Sequence, residues 1–289
     1  MAEIQFAAPE TIGQAIKILG AKGKSKILAG GTDLLVQMRS GRIEPSLIVD
    51  IKNIPELSEI KKEKNGYRIG AAVSGARLGE NKTVKKKWPG VVEALELIGS
   101  TQIQGRASLG GNLCNGSPAA DSVPAMIAAG VTCKIAGPQG RRTAKVEDII
   151  TAPGKTSLKK GEFIVSFLLP NKPKRSSEAY LRLIPRTEMD IAVVGAGVSL
   201  TLDSKDICCA ARVALGAVAP TPILVEQAKN ILVGSNLDAM ALNKLAMACR
   251  ESCNPIDDMR GTVEYRTKVA GVLATRAAKI AVDRIRSSR

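Results

Sequence analysis

The chain contains no histidine in 289 residues. That removes the commonest general base, the usual zinc ligand and every Ser-His or Cys-His dyad. Aromatic residues are scarce too, with one Trp, three Tyr and three Phe. Single-strand binders stack bases on aromatic platforms, so the formal net charge of +15 lacks the side chains that would make nucleic acid the expected partner. The basic residues are also dispersed, as Lys61 and Lys62, Lys85 to Lys87, Arg141 and Arg142, and Lys159 and Lys160. The six cysteines show no disulfide-framework spacing, which leads us to expect reduced thiols and a cytoplasmic setting. No apolar run reaches the roughly 18 residues of a membrane span. The opening MAEIQFAAPE has neither the basic start nor the apolar core of a signal peptide.

What the chain does have is glycine in two telling places. Residues 101–122, TQIQGRASLGGNLCNGSPAADS, show almost no apolar periodicity, yet apolar segments close them off at 91–98 and 123–135. Irregular stretches beyond about 12–15 residues are usually functional or disordered. This one is expected to be a fixed loop with backbone amides facing a ligand. The second place is Gly30-Gly31-Thr32-Asp33, after the short strand 26–29 and before the helical pattern Leu34, Leu35, Met38. Paired glycines let the backbone turn with positive φ and approach a ligand closely. Thr32 or Asp33 can cap the helix, whose first amides form an anion site. Taken alone, such a turn is equally a capped strand-to-helix connection with nothing bound.

The remaining pattern places these segments. Residues 11–19 have helical spacing and 46–50 read as a buried strand. Asn65-Gly66, between 59–64 and 67–73, is a hairpin signal. A helix is expected over 88–97, another opening at Asp121-Ser122-Val123-Pro124, and strands at 131–136, 142–145 and 163–169. The polar, proline-bearing segment 170–177 marks a domain boundary. Beyond it, 179–184, 192–202 and 208–215 suggest a three-stranded antiparallel meander, followed by helices over 225–233, 239–253 and 262–285. Val193-Val-Gly195-Ala-Gly197 resembles a dinucleotide fingerprint but lacks its third glycine and continues as strand. Cys249 and Cys253 share a helix face without completing a four-ligand metal site. Cys208 and Cys209 point to opposite faces of a strand. No paired carboxylates support acid–base chemistry by this chain.

As a pair, the two glycine segments suggest converging amide nests that neutralise a pyrophosphate without lysine, and hence a dinucleotide bound outside a Rossmann fold. The residues here also carry a family resemblance. Ile27, Leu28, Ala29, Gly30, Gly31, Thr32, Asp33 and Leu34, with Ser108, Leu109, Gly110, Gly111 and Asn112 and the following SPAAD, resemble the two flavin-binding signatures of the molybdenum hydroxylases. Glu162 to Pro170, Tyr180-Leu-Arg182, Arg186, Asp190-Ile-Ala192 and Arg212 to Pro220 extend the likeness over essentially the whole chain, which is similar to their separate FAD-binding (medium) subunit.

The resemblance implies an α+β chain. Residues 1–172 would form a two-part FAD-binding domain of the vanillyl-alcohol-oxidase (PCMH) type, divided near 55. Residues 177–289 would form a C-terminal domain of a three-stranded antiparallel sheet and a helix bundle. It implies that the residues of both signatures contact FAD, that Asp121 adds a polar contact, and that Ile98 and Ile164 add apolar ones. Arg182 stands where the xanthine dehydrogenases place a lysine near the flavin ring. The molybdenum–pterin centre would lie on a large subunit and two iron–sulfur clusters on a small one, in a dimer of heterotrimers. Electrons would reach FAD here and leave to NAD⁺, a quinone or another acceptor. With only Cys114 and Cys133 in the first domain, no cluster is expected on this chain. The alternatives are a self-sufficient flavoprotein oxidase of the same fold and an anion- or nucleic-acid-binding module.

Overall fold

The computed structural model describes residues 4–21 and 23–287, so residues 1–3, 22 and 288–289 of the two expected domains lie outside the described residues. The first lobe is built from β1 (Gln5–Ala7), α1 (Ile12–Gly20), β2 (Ser25–Leu28), α2 (Leu34–Arg39) and β3 (Leu47–Asp50). Its strands form a parallel sheet in the order β1-β3-β2. Thr11 and Gln14 close a reciprocal capping box at the start of α1, and the helical spacing buries Ala15 and Leu19 beside Val49. Helix α2 differs: Asp33 holds its N-cap position but its side chain makes no capping hydrogen bond, and none of its residues is buried. The short α3 (Pro55–Ser58) leads out of the lobe.

The second lobe starts with β4 (Ile60–Glu63) and β5 (Gly66–Gly70), the hairpin that Asn-Gly signals. Gly66 has φ +153, and a Cβ there would lie 1.9 Å from the Leu169 carbonyl oxygen, so no other residue suits that turn. Helices α4 (Gly75–Glu80), α5 (Lys82–Lys87) and α6 (Pro89–Glu96) follow. The pattern at 88–97 revealed only α6. Asn81 starts α5 by accepting from the Val84 amide, and Lys85 to Lys87 form its last turn. The long glycine-rich stretch is not a continuous loop. It folds into α7 (Thr101–Gln104) and α8 (Leu109–Cys114), and Ser108 caps α8 through the Gly111 amide. Helices of four and six residues have no periodicity to read.

Helix α9 (Ser122–Ala128) is buried along its whole length. It leads to β6 (Thr132–Gly137), β7 (Gly140–Lys145), the two-stranded ribbon of β8 (Ile150–Ala152) and β9 (Lys155–Thr156), and β10 (Phe163–Pro170). The antiparallel sheet runs β4-β5-β10-β6-β7, with the closing strand β10 at its centre. Trp88, fully buried, anchors the core between this sheet and the helices.

The third body holds β11 (Ser176–Leu183), β12 (Val194–Leu202), β13 (Cys208–Gly216) and β14 (Ile223–Leu224), then α10 (Gln227–Leu232), α11 (Ala239–Glu251) and α12 (Val263–Ser287). The meander is present, but β14 adds a fourth strand, paired with Ala214 and Leu215 and too short to show alternation. The Gly195–Gly197 segment is strand. A Cβ at Gly195 would meet the Tyr180 hydroxyl at 2.5 Å, and one at Gly197 the Pro124 carbonyl oxygen at 2.7 Å. Close packing of α9 on the sheet therefore accounts for Gly197. The buried Ala270, Ala274, Ala277, Ala278 and Ala281 let α12 lie close against β11 and β12.

Candidate functional site

The two glycine segments meet backbone to backbone. A Cβ on Gly30 would sit 2.0 Å from the Arg106 carbonyl oxygen, so only glycine lets the first turn reach the chain that enters Ser108. Gly31 follows with φ +79, the left-handed turn that starts α2. On the far side, Gln37 donates from Nε2 to Asn115 Oδ1 at 2.9 Å, tying α2 to the end of α8. Between them lies a cavity of about 920 Å³. Ile27, Ala29, Gly30, Gly31, Thr32, Asp33, Leu34, Ile98, Ser108, Gly110, Gly111, Asn112 and Ile164 line it.

Its hydrogen-bonding capacity is uneven. The amides of Gly30, Gly31, Thr32, Asp33 and Leu34 have no acceptor among the described residues, and neither has the Thr32 hydroxyl. Five open donors around one turn give it the capacity to receive an anion, as unpaired amides at a helix start do. Burial raises the Asp33 carboxyl above its ordinary value. The second segment offers less. The Gly110 amide donates to the Ala71 carbonyl at 3.1 Å, Gly111 to Ser108 Oγ at 3.1 Å and Asn112 to the Ser108 carbonyl at 2.9 Å. The expected pair of equal amide nests is thus one open nest and one self-satisfied helix start. The Asn112 side chain spends its oxygen on the amide and hydroxyl of Ser122, at 3.1 and 2.7 Å, and keeps Nδ2 without a partner among the described residues.

Four expected residues do not line the cavity. Leu28 lies beneath the turn, its Cδ1 2.9 Å from where a Gly31 Cβ would stand, and Leu109 belongs to the core. Asp121 and Arg182 form a buried ion pair, Arg182 Nη1 donating to Asp121 Oδ2 at 2.7 Å, while the Tyr180 hydroxyl donates to Oδ1 at 3.0 Å. Burial pushes the Asp121 carboxyl up to about 6, against the pull of Arg182 and Tyr180. Arg182 Nε is buried with no acceptor among the described residues.

The sequence reading missed the cationic part of the wall. Lys24, Lys26, Arg42, Lys159 and Lys160 line the cavity, against Asp33, Glu44 and Glu162. Glu162 is already engaged by Arg142, through Nε at 2.9 Å and Nη2 at 2.8 Å. The only signal in the sequence was Lys159-Lys160 standing just before β10, which brings in Ile164. Ala71, Leu158, Phe163, Ile98 and Ile164 add apolar lining to the same cavity. A lining that combines open donors and cations with apolar side chains suits a ligand that carries both an anionic group and a flat, weakly polar one.

Fold and site together fit the class of nucleotide-cofactor proteins of a non-Rossmann kind, with a glycine turn facing a cavity between the first two lobes. The comparisons name the kind. Residues 2–172 match the family described as the FAD binding domain in molybdopterin dehydrogenase, and residues 179–281 match the CO dehydrogenase flavoprotein C-terminal domain. The carbon monoxide dehydrogenase medium chain of Hydrogenophaga pseudoflava is 31% identical over 96% of both chains. The xanthine dehydrogenase FAD-binding subunit of Escherichia coli O157:H7 is 31% identical over 94% of both. The structure of reconstituted CO dehydrogenase from Oligotropha carboxidovorans superposes with a TM-score of 0.94 at 32% identity, covering 98% of each chain. The chain belongs to the FAD-binding subunits of the molybdenum hydroxylases, and is an oxidoreductase flavoprotein subunit.

Proposed function

We propose that the chain holds FAD in the cavity between its glycine segments and relays electrons from a partner subunit's iron–sulfur clusters to NAD⁺, a quinone or another acceptor. The carrying observation is the row of five unpaired amides from Gly30 to Leu34, lining a cavity whose closure requires glycine at position 30. That row fits a pyrophosphate. Thr32 Oγ1 and Asn112 Nδ2 supply further donors, and Lys26, Lys159 and Lys160 lower the potential energy of a dianion there. Ile98 and Ile164 would shield the ring end from water. Asp121 and Arg182 act as a fixed buried charge pair behind Ser122, whose amide Asn112 holds. When bound, FAD supplies the redox chemistry, accepting electrons singly or in pairs and passing them on, while the protein supplies position and field.

On this reading the chain is the medium subunit beside a large molybdopterin-binding chain and a small iron–sulfur chain, in a dimer of heterotrimers, in the cytoplasm. The family resemblance, the whole-length similarity to medium chains and FAD-binding subunits, and the lack of histidine support that assignment. The same evidence of likeness supports a division into a two-part FAD domain over 1–172 and a C-terminal domain over 177–289.

The test is a visible spectrum of the purified full chain titrated with FAD. Bound flavin should show bands near about 370 and 450 nm, with protein-shifted shape. No perturbation of the FAD spectrum and no retention on desalting would refute the proposal. Bleaching by a small substrate with no other subunit present would instead indicate a self-sufficient oxidase.

A further inference from the structure

A corner of the second lobe collects lysines that the fold leaves unpaired. Lys62 stands opposite Tyr67 across the β4–β5 hairpin, and the Lys87 ammonium lies 5.7 Å over the same ring. Tyr67 packs on Trp88 with ring centroids 5.5 Å apart, and the Trp88 indole donates to the Pro170 carbonyl at 3.2 Å. Asn171 bonds the Lys64 and Asn65 carbonyls, closing the corner around the hairpin turn. Lys61, Lys62, Lys64, Lys86 and Lys87 are all exposed. Three carboxylates of this region are already taken, Glu63 by Arg68, Glu96 by Lys85 and Glu178 by Lys172. Among the described residues none of the five lysines forms an ion pair.

Two ordinary roles account for part of this charge. Lysine on the edge strand β4 deters edge-to-edge pairing, and lysine in the last turn of α5 suits the helix dipole. Each role needs one or two charges. Lys64 sits on the turn, outside both, and three consecutive lysines exceed what a six-residue helix requires. The concentration of like charge costs self-repulsion that an acidic partner would relieve.

We propose that this corner docks an acidic surface of a partner protein. Nucleic acid fits poorly, because Trp88 is fully buried and Tyr67 is covered by Lys87, leaving no base-stacking platform. A membrane fits poorly too, as no large apolar side chain in the hairpin or α5 is exposed to enter it. The corner lies at the far end of β10 from Ile164 of the cavity, about 20 Å away at ~3.3 Å per residue, so it is separate from the cofactor site and independent of that assignment.

The test uses the full chain with labelled poly-L-glutamate as the acidic probe, read by fluorescence anisotropy at low salt. Lys62→Gln/Lys64→Gln/Lys86→Gln should weaken binding about tenfold with unchanged thermal unfolding, and added salt should abolish the difference. Lys205→Gln/Lys229→Gln/Lys268→Gln, three exposed lysines of the third body, removes equal charge elsewhere and should leave binding within about twofold. If the triple variant unfolds, the double Lys64→Gln/Lys86→Gln reports the same effect at smaller size. Equal weakening by the control set would reduce the corner to net charge and overturn the proposal. Tighter binding to an oligo-dT strand or to phosphatidylserine vesicles, lost in the same triple variant, would overturn it in favour of those partners.

Discussion

Gly30, Gly110 and Gly111 look alike in the sequence and do different work. At Gly30 a side chain collides with the Arg106 carbonyl at 2.0 Å, so Gly30→Ala should push the two segments apart and cost about 2–3 kcal/mol of stability by overpacking. Gly110→Val should destabilise as well, since its Cβ would stand 2.5 Å from the Ala71 carbonyl oxygen, well inside contact distance. At Gly111 a Cβ meets only Ser108 Oγ at 3.3 Å while the residue lines the cavity. Gly111→Val should therefore keep the fold and weaken FAD retention, as calorimetry and a desalting assay together would show. The Asp121–Arg182 pair should behave as a buried unit. Asp121→Asn strands a guanidinium and should cost about 3 kcal/mol in urea unfolding, with Asp121→Asn/Arg182→Met less harmful than that single change. Glu162 gives a pH signature. Arg142 holds its carboxyl down at about 2, below the ordinary value of 4.5, so the pair's stabilisation is full above about pH 4.5 and vanishes as pH falls towards 2. Solvent reaches Arg142, so the pair is worth about 1 kcal/mol. The stability gap between wild type and Glu162→Gln should be about that at pH 7 and close to zero near pH 2.

Among the elements, α9 joins the second lobe to the third body. All its residues are buried, Arg212 of β13 donates to the Ile127 carbonyl at 2.9–3.0 Å and pairs with Glu147, and Gly197 and Gly216 both face Pro124. Gly197→Val should therefore lower the thermal midpoint markedly and raise hydrogen exchange in both α9 and β12, whereas loosening confined to β12 would show that the second lobe and the third body are not coupled there. Legibility in the sequence varied by element. The hairpin at Asn65-Gly66, the helix α1 and the long strand β10 were readable because their local signals are strong and agree with their burial. Helices α5, α7 and α8 were not, because each spans only four to six residues and shows less than two turns of periodicity, α5 being mostly lysine and α8 opening on paired glycines.

Over the whole molecule, one cofactor would bridge both lobes of the first half, so binding should stabilise the fold by mass action. FAD at 100 times its Kd should add about 2.7 kcal/mol, raising the midpoint by roughly 5 °C, and Gly111→Val should abolish that increment. A midpoint unmoved by saturating FAD would count against a site formed between the glycine segments.

By itself the sequence determined the class of chemistry. The lack of histidine fits a subunit whose chemistry belongs to its cofactor, and two glycine signatures in order carried the family resemblance. Which glycines keep their amides free, that Arg182 turns to Asp121, and that Lys159 and Lys160 join a turn more than a hundred residues earlier were decided only by tertiary structure. The reason is physical. A residue's propensity to turn is local, but whether its amide is already bonded, and which distant charge stands beside it, depends on neighbours that only the packed chain supplies.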